Sequence, residues 1–322
     1  MDEAARYRSE NQLDEALRSY EQALEIDPEN PMIYRNLGVL HYEKNQWDQA
    51  ERYLKESLGR KNDDPYTYLY TGKVFFQKQD WDRALFFYQK ALAINPNLEE
   101  VHVNIGVLYL ETGQREYAGR AFEVAKSMEP RDPRPYLGMG SLHLRNRMFA
   151  EALEEFRRAL ELHPDNAEAY NGMGVAYYQM GRLEEAEDAF EQALMIDPQY
   201  ATAMNNLGVL YQKIGRMDQA RRAFERALQV DPENDEVARN LQGLDYAERM
   251  DGMSQFRSSP FERLGNAGPS AGMSFPVSGG NAGPGYQASG KSALLQFGGV
   301  LLSELLRRKM GGQDNSQAAS QN

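Results

Sequence analysis

Apolar residues over the first 250 positions recur at helical spacing, and that recurrence itself returns every 34 residues. Tyr34, Leu37, Gly38 and His41 fall on one face of a helix, and Ala50, Tyr53, Leu54 and Leu58 fall on one face of a second. The pattern therefore predicts a helical hairpin per unit. Two rows fix the register: Gly38, Gly72, Gly106, Gly140, Gly174 and Gly208 in the first helices, and Ala16, Ala50, Ala84, Ala118, Ala152, Ala186 and Ala220 in the second. Glycine inside a helix costs about 1 kcal/mol relative to alanine, so a Gly at the same place in each unit predicts that its missing side chain admits the partner helix. Turn residues stand where hairpins need them. Thr112-Gly113, Met180-Gly181 and Ile214-Gly215 separate the two helices of a unit, and Asp27-Pro28, Asn95-Pro96, Asp197-Pro198 and Asp231-Pro232 separate units. Asp48 with Glu51 suits a cap at the start of a second helix.

One unit reads Tyr170, Met173-Gly174, Tyr177, Ala186, Phe190, Ala193 and Pro198, and in this order of aromatic, Gly, Tyr, Ala, aromatic, Ala and Pro the chain resembles the tetratricopeptide repeat (TPR) family. The resemblance implies an all-α fold, a right-handed α-α superhelical solenoid of helical hairpins. About seven repeats would occupy residues 1–250, the first truncated because Met1 lies inside a unit, with 235–250 as a capping helix in which Gln242 replaces the repeat glycine.

Beyond the repeats the composition changes. Residues 251–290 are rich in Gly, Ser, Pro and Asn and read as a flexible linker, and 311–322 as a second flexible stretch. Between them, 291–310 predicts a short amphipathic helix: Leu294, Leu295, Phe297, Val300, Leu301, Leu302, Leu305 and Leu306 make a broad apolar face closed by Arg307-Arg308-Lys309. The apolar part is shorter than the ~20 residues that span a bilayer. Its expected contacts are a protein surface, the chain's own groove, a second copy, or a membrane surface touched through 293–310. The run Gly285 to Ser292 matches the phosphate-loop pattern GxxxxGK[ST], but the turn-forming stretch before it supplies no strand to deliver it, so nucleotide binding is the weakest reading.

Charge narrows the function. The chain carries −12 overall, and with five acidic against seven basic residues from Ala247 onward the repeats hold −14. An acidic body disfavours nucleic acid as principal ligand. With no Cys there is no thiol nucleophile and no disulfide. His41 and His143 stand in the packing row, His102 in an aromatic slot and His163 before a turn, none beside a ligand-spaced partner. The expectation is a non-enzyme without cofactor or metal, and, with no export signal at the start, a cytoplasmic one.

In stacked hairpins the first helices line the concave side. One row there reads Asn36, Tyr70, Asn104, Gly138, Gly172, Asn206 and Asn240; the next includes Val39, Lys73 and Val107; a third includes Tyr42, Phe76 and Tyr178. The asparagines are similar to the ladder with which some family members grip a peptide backbone, each amide offering donor and acceptor. The expected peptide-binding set is Asn36, Tyr42, Tyr70, Lys73, Phe76, Asn104, Val107, Tyr178 and Asn206. A carboxylate clamp is not expected, since Arg35 is followed by Val39 where such a clamp needs Asn. The predicted function is an interaction scaffold holding a partner's peptide or helix in this groove, with the tail helix as second contact or self-occupying segment. The alternative is an assembly protein that self-associates or attaches to a membrane through that helix.

Overall fold

The computed structural model describes residues 2–10, 12–61 and 63–256, with backbone alone beyond Tyr246. Among the described residues there are fifteen helices and no strand: α1 Asp2–Ser9, α2 Leu13–Ile26, α3 Pro31–Glu43, α4 Trp47–Arg60, α5 Pro65–Gln77, α6 Trp81–Ile94, α7 Glu99–Glu111, α8 Arg115–Met128, α9 Arg134–Arg145, α10 Phe149–Leu162, α11 Ala167–Gln179, α12 Leu183–Ile196, α13 Ala201–Lys213, α14 Met217–Val230 and α15 Asp235–Phe256. They fall into two compact units, one ending at Tyr117 and the other beginning at Ala118, inside α8.

Local chemistry sets the helix starts. Asn30 accepts from the Met32 amide and precedes Pro31, and Asp64 accepts from the amides of Tyr66 and Thr67 and precedes Pro65; each satisfies an orphan donor and presets the first φ. Asp48 and Glu51 do something other than cap. The N-cap of α4 is Gln46, which makes no side-chain cap bond, while Asp48 and Glu51 both reach Lys78, at 2.6 and 2.5 Å. The six hairpin turns from α3–α4 to α13–α14 pass through the left-handed region. Gly113, Gly181 and Gly215 take φ of 76°, 76° and 79°, and at the matching positions of other units Asn45, Gln79 and Arg147 take 57°, 58° and 61°.

In five hairpins the repeat glycine, at Gly38, Gly72, Gly140, Gly174 and Gly208, faces a large side chain of the second helix. In the first unit a β-carbon on Gly72 would lie 2.5 Å from Tyr88, and in the second unit one on Gly174 would lie 2.5 Å from Phe190. Phe156 is held from both sides, since β-carbons on Gly140 and Gly172 would approach it to 2.5 and 2.4 Å. Phe156, Phe190 and Phe224 are fully buried, as is the alanine row at Ala152, Ala186 and Ala220. Burying such a side chain contributes about 1.5–3 kcal/mol, so in these hairpins a large side chain seated over glycine is a principal fastening.

At its C-terminal end the second unit is covered by α15, which buries Val237 and Leu244. This helix continues to Phe256, past the 250 boundary expected from the sequence. The remainder of the linker, the amphipathic segment 291–310, the phosphate-loop match and the tail 311–322 lie outside the described residues. No described helix is long and apolar enough to cross a membrane.

Candidate functional site

In the first unit, α3 and α5 bring three of the expected residues together, Tyr42, Tyr70 and Lys73. Tyr42 meets Tyr70 edge-on, with ring centroids 6.0 Å apart, and Trp47 tilts against Tyr42 at 5.3 Å. Lys73 reaches across both phenols, its Nζ 5.3 Å from the Tyr42 centroid and 5.0 Å from that of Tyr70, and pairs with Glu100 on α7 at 3.1 Å. Burial works against its charge, but Glu100 and the two phenols outweigh burial and hold the Lys73 pKa above the ordinary lysine value. Phe76 lies next along α5, edge-on to Trp81 at 5.2 Å. At the other margin Arg8 pairs with Glu43 at 2.5 Å and Arg35 with Asp64 at 3.0 Å. Asn36, Tyr42, Tyr70, Lys73 and Phe76 are all partly exposed. The result is a surface of aromatic edges bounded by fixed ion pairs.

Two further expected residues of this unit, Asn104 and Val107, offer less. Asn104 donates its amide to the Glu100 carbonyl of its own helix at 2.9 Å, and Val107 is 2% exposed. In the second unit Asn206 is fully buried and donates to Asn171 Oδ1 at 2.9 Å, and Asn240 donates to Asn205 Oδ1 at 2.8 Å. These amides join one hairpin to the next. Gly138 and Gly172, which interrupt the asparagine row, face Phe122 and Phe156 across gaps too small for a β-carbon. Tyr178 remains partly exposed beneath Lys213, whose Nζ stands 4.2 Å from its ring centroid.

Trp47, Glu100, Arg8 and Glu43 complete the first unit's surface and were not among the residues expected from the sequence. Glu100 had a signal: it follows Lys73 by 27 positions, the offset from the concave face of one first helix to the start of the next. Glu168 of α11 stands at the same repeat position as Glu100, 68 residues further on. It is partly exposed as a residue, but its Oε1 is sealed from solvent without a hydrogen-bond partner, and burial alone pushes its carboxyl up to about 7. Burial together with the Glu168 and Asp197 charges raises the Tyr200 phenol, against the opposing hydrogen bond of the Asn171 side chain. Among the described residues no group of three or more His, Asp or Glu is placed to hold a metal ion.

Comparison with known proteins agrees with this architecture. Residues 59–260 match the family model of the cilia and flagella-associated protein 70 C-terminal domain, residues 4–45 a TPR repeat model and residues 32–61 a tetratricopeptide repeat model. No curated protein matches the chain. Among solved structures, the chain is similar in fold to one from the crystal structure of the APC/C hetero-tetramer Cut9-Hcn1, with 16% identity, a TM-score of 0.66, and coverage of 75% of this chain and 48% of that one. It thus spans about half the length of that relative. A tetratricopeptide repeat protein from Parabacteroides merdae gives 18% identity, a TM-score of 0.62 and coverage of 75% and 95%. The Pseudomonas aeruginosa pilF structure gives 20%, 0.54 and coverage of 67% and 97%. At these identities the structures speak for the fold. With the repeat rows, the hairpin packing and a family model spanning residues 59–260, the chain belongs to the tetratricopeptide repeat family, in the group represented by the cilia and flagella-associated protein 70 C-terminal domain.

Proposed function

We propose that this protein is a non-catalytic interaction scaffold that captures an extended peptide or a helix of a partner protein on the face made by its first helices. The observation that carries the reading is the Tyr42–Tyr70 pair, partly exposed on consecutive first helices with Lys73 across both rings. Aromatic edges give a partner apolar area to cover at little entropic cost, because each ring has two torsions to fix. The surrounding pairs, Lys73 with Glu100 and Arg8 with Glu43, supply donors and acceptors that set the register of a peptide without moving far. The segment 291–310 serves in this reading as a second contact or as an occupant of the chain's own groove.

The test is recovery of partners by the tagged full chain and by a Tyr42→Ala/Tyr70→Ala variant, with Ile26→Ala as a control at a side chain that is 85% exposed. The reading expects the double variant to lose specific partners that the control keeps. Identical partner sets for all three proteins would overturn it. Removal of 291–322 separates the two tail roles: recovery rises if the segment occupies the groove and falls if it is a second contact.

A further inference from the structure

One exposed position recurs in the middle of every second helix, and α6 fills it differently from the rest. In the other six it is charged, as Arg18, Arg52, Arg120, Glu154, Asp188 and Arg222; in α6 it is Phe86. Phe86 is 48% exposed and is braced by its neighbours. It stands edge-on to Phe87 at 5.2 Å, and Phe87 stacks on the buried Phe75 at 5.3 Å. Arg83, tied to Asp80 at 2.6 Å, lies over the Phe75 ring at 4.2 Å. One turn before Phe86 comes Asp82 and one turn after it Lys90, both exposed. Among the described residues neither belongs to an ion pair, and the Lys90 Nζ rests 5.4 Å from the Phe86 ring centroid. A large apolar side chain fixed in place yet half in water has the make-up of an interface anchor.

We infer that the exposed face of α6 pairs with the same face of a second copy of this chain, the two helices running antiparallel about a two-fold axis at Phe86. In such a contact a residue a given number of positions before the axis meets the residue that many positions after it on the partner copy. Phe86 therefore meets Phe86, Asp82 of each chain meets Lys90 of the other, and Arg83 meets Gln89. Acid, aromatic and base at spacings of four are complementary to themselves only in this direction, since a parallel pairing sets Asp82 on Asp82 and Lys90 on Lys90. The other six second helices fail the same test. Self-pairing at their middle position sets arginine on arginine or carboxylate on carboxylate, which like-charge repulsion opposes. Copies of a chain with net charge −12 repel one another, and α6 is the one second helix without glutamate. A single helix pair covers less than the roughly 1,000 Å² of a stable complex, so the dimer is a weak one. Salt weakens it further, because the Asp82 and Lys90 charges lie in water.

This inference uses none of the residues assigned to peptide capture, so each can fail alone. The test is sedimentation equilibrium of the full chain from about 2 to about 200 μM, the range in which a weak dimer forms. The parent's mean mass is expected to rise with concentration toward that of two chains, and to rise less in high salt. Phe86→Glu, Asp82→Lys and Lys90→Asp should each dimerise at least tenfold more weakly, with circular dichroism unchanged because all three positions are exposed. An equimolar mixture of the Asp82→Lys and Lys90→Asp proteins should dimerise again, since both contacts of the mixed pair then join opposite charges. The Asp82→Lys/Lys90→Asp double variant should do so by itself. A parent that stays monomeric throughout would overturn the inference. So would association undiminished in all three single variants, the outcome expected if 291–310 drove it, or a mixture no more associated than its components.

Discussion

Gly140 leaves open the space that Phe156 fills: a β-carbon there would lie 2.5 Å from Phe156 Cε1, closer than any relaxed contact. Helix propensity alone would favour Gly140→Ala by about 1 kcal/mol. The clash reverses the sign, because a fully buried Phe has no free volume to retreat into. Gly140→Ala is therefore expected to destabilise the protein by about 1–3 kcal/mol in urea unfolding. Gly59→Ala, in α4 with nothing within 4 Å of the added carbon, is expected to gain up to about 1 kcal/mol. Equal effects at the two sites would show that packing does not decide the glycine row.

The hairpin turns give a second sign test. Gln79 and Arg147 hold φ of 58° and 61° where other units use glycine. An L-residue pays about 1–2 kcal/mol for this region, partly returned by the lower chain entropy of a non-glycine residue when unfolded. Gln79→Gly and Arg147→Gly should each raise the unfolding free energy by about 0.5–1 kcal/mol, read as an upward shift in thermal midpoint.

These two cases mark what the sequence made legible. The glycine and alanine rows disclosed the hairpins because packing there requires small residues, and small residues leave a recurring letter. The turn at Gln79 and Arg147 left no letter, because an αL position under modest strain accepts many residues. The candidate surface was half readable for the same reason. Tyr42, Tyr70 and Lys73 stood out as large groups on a predicted concave row, and they do come together. Asn206 stood in the same kind of row, but whether an amide faces a ligand or a neighbouring helix depends on the residue opposite it. Here that residue is Asn171, a whole repeat away in the sequence, and it takes the Asn206 amide.

That pairing has a measurable consequence. Asn206→Ala leaves Asn171 Oδ1 without the amide that donates to it at 2.9 Å in a buried place. The expected cost is about 1–3 kcal/mol of stability, checked by urea unfolding. A variant as stable as the parent would mean that the amide bridge between hairpins contributes nothing.

Glu168 makes stability depend on pH in an unusual direction. Its carboxyl sits near 7 in the folded chain against 4.5 ordinarily, so between those values the folded state keeps a proton that the unfolded state has released. Stability from this group is present below pH 4.5 and is lost as pH rises through 7. Glu168→Gln removes the loss: the variant should match the parent at acid pH and exceed it above pH 7 by about 1–3 kcal/mol, discounted for the partial exposure of the residue. Parallel pH profiles for the two proteins would contradict the burial assigned to this carboxyl.

Capture on the first-helix face fixes where a partner touches the molecule. Photocrosslinking with benzoylphenylalanine placed singly at Tyr70, Phe76, Ile26 and Met195 reads this out in the full chain, the last two being 85% and 72% exposed residues of second helices. The prediction is a protein adduct from Tyr70 and Phe76, competed away by the unlabelled chain but not by its Tyr42→Ala/Tyr70→Ala variant, and none from Ile26 or Met195. Adducts formed equally at all four positions, or at Ile26 and Met195 alone, would contradict capture on the first-helix face.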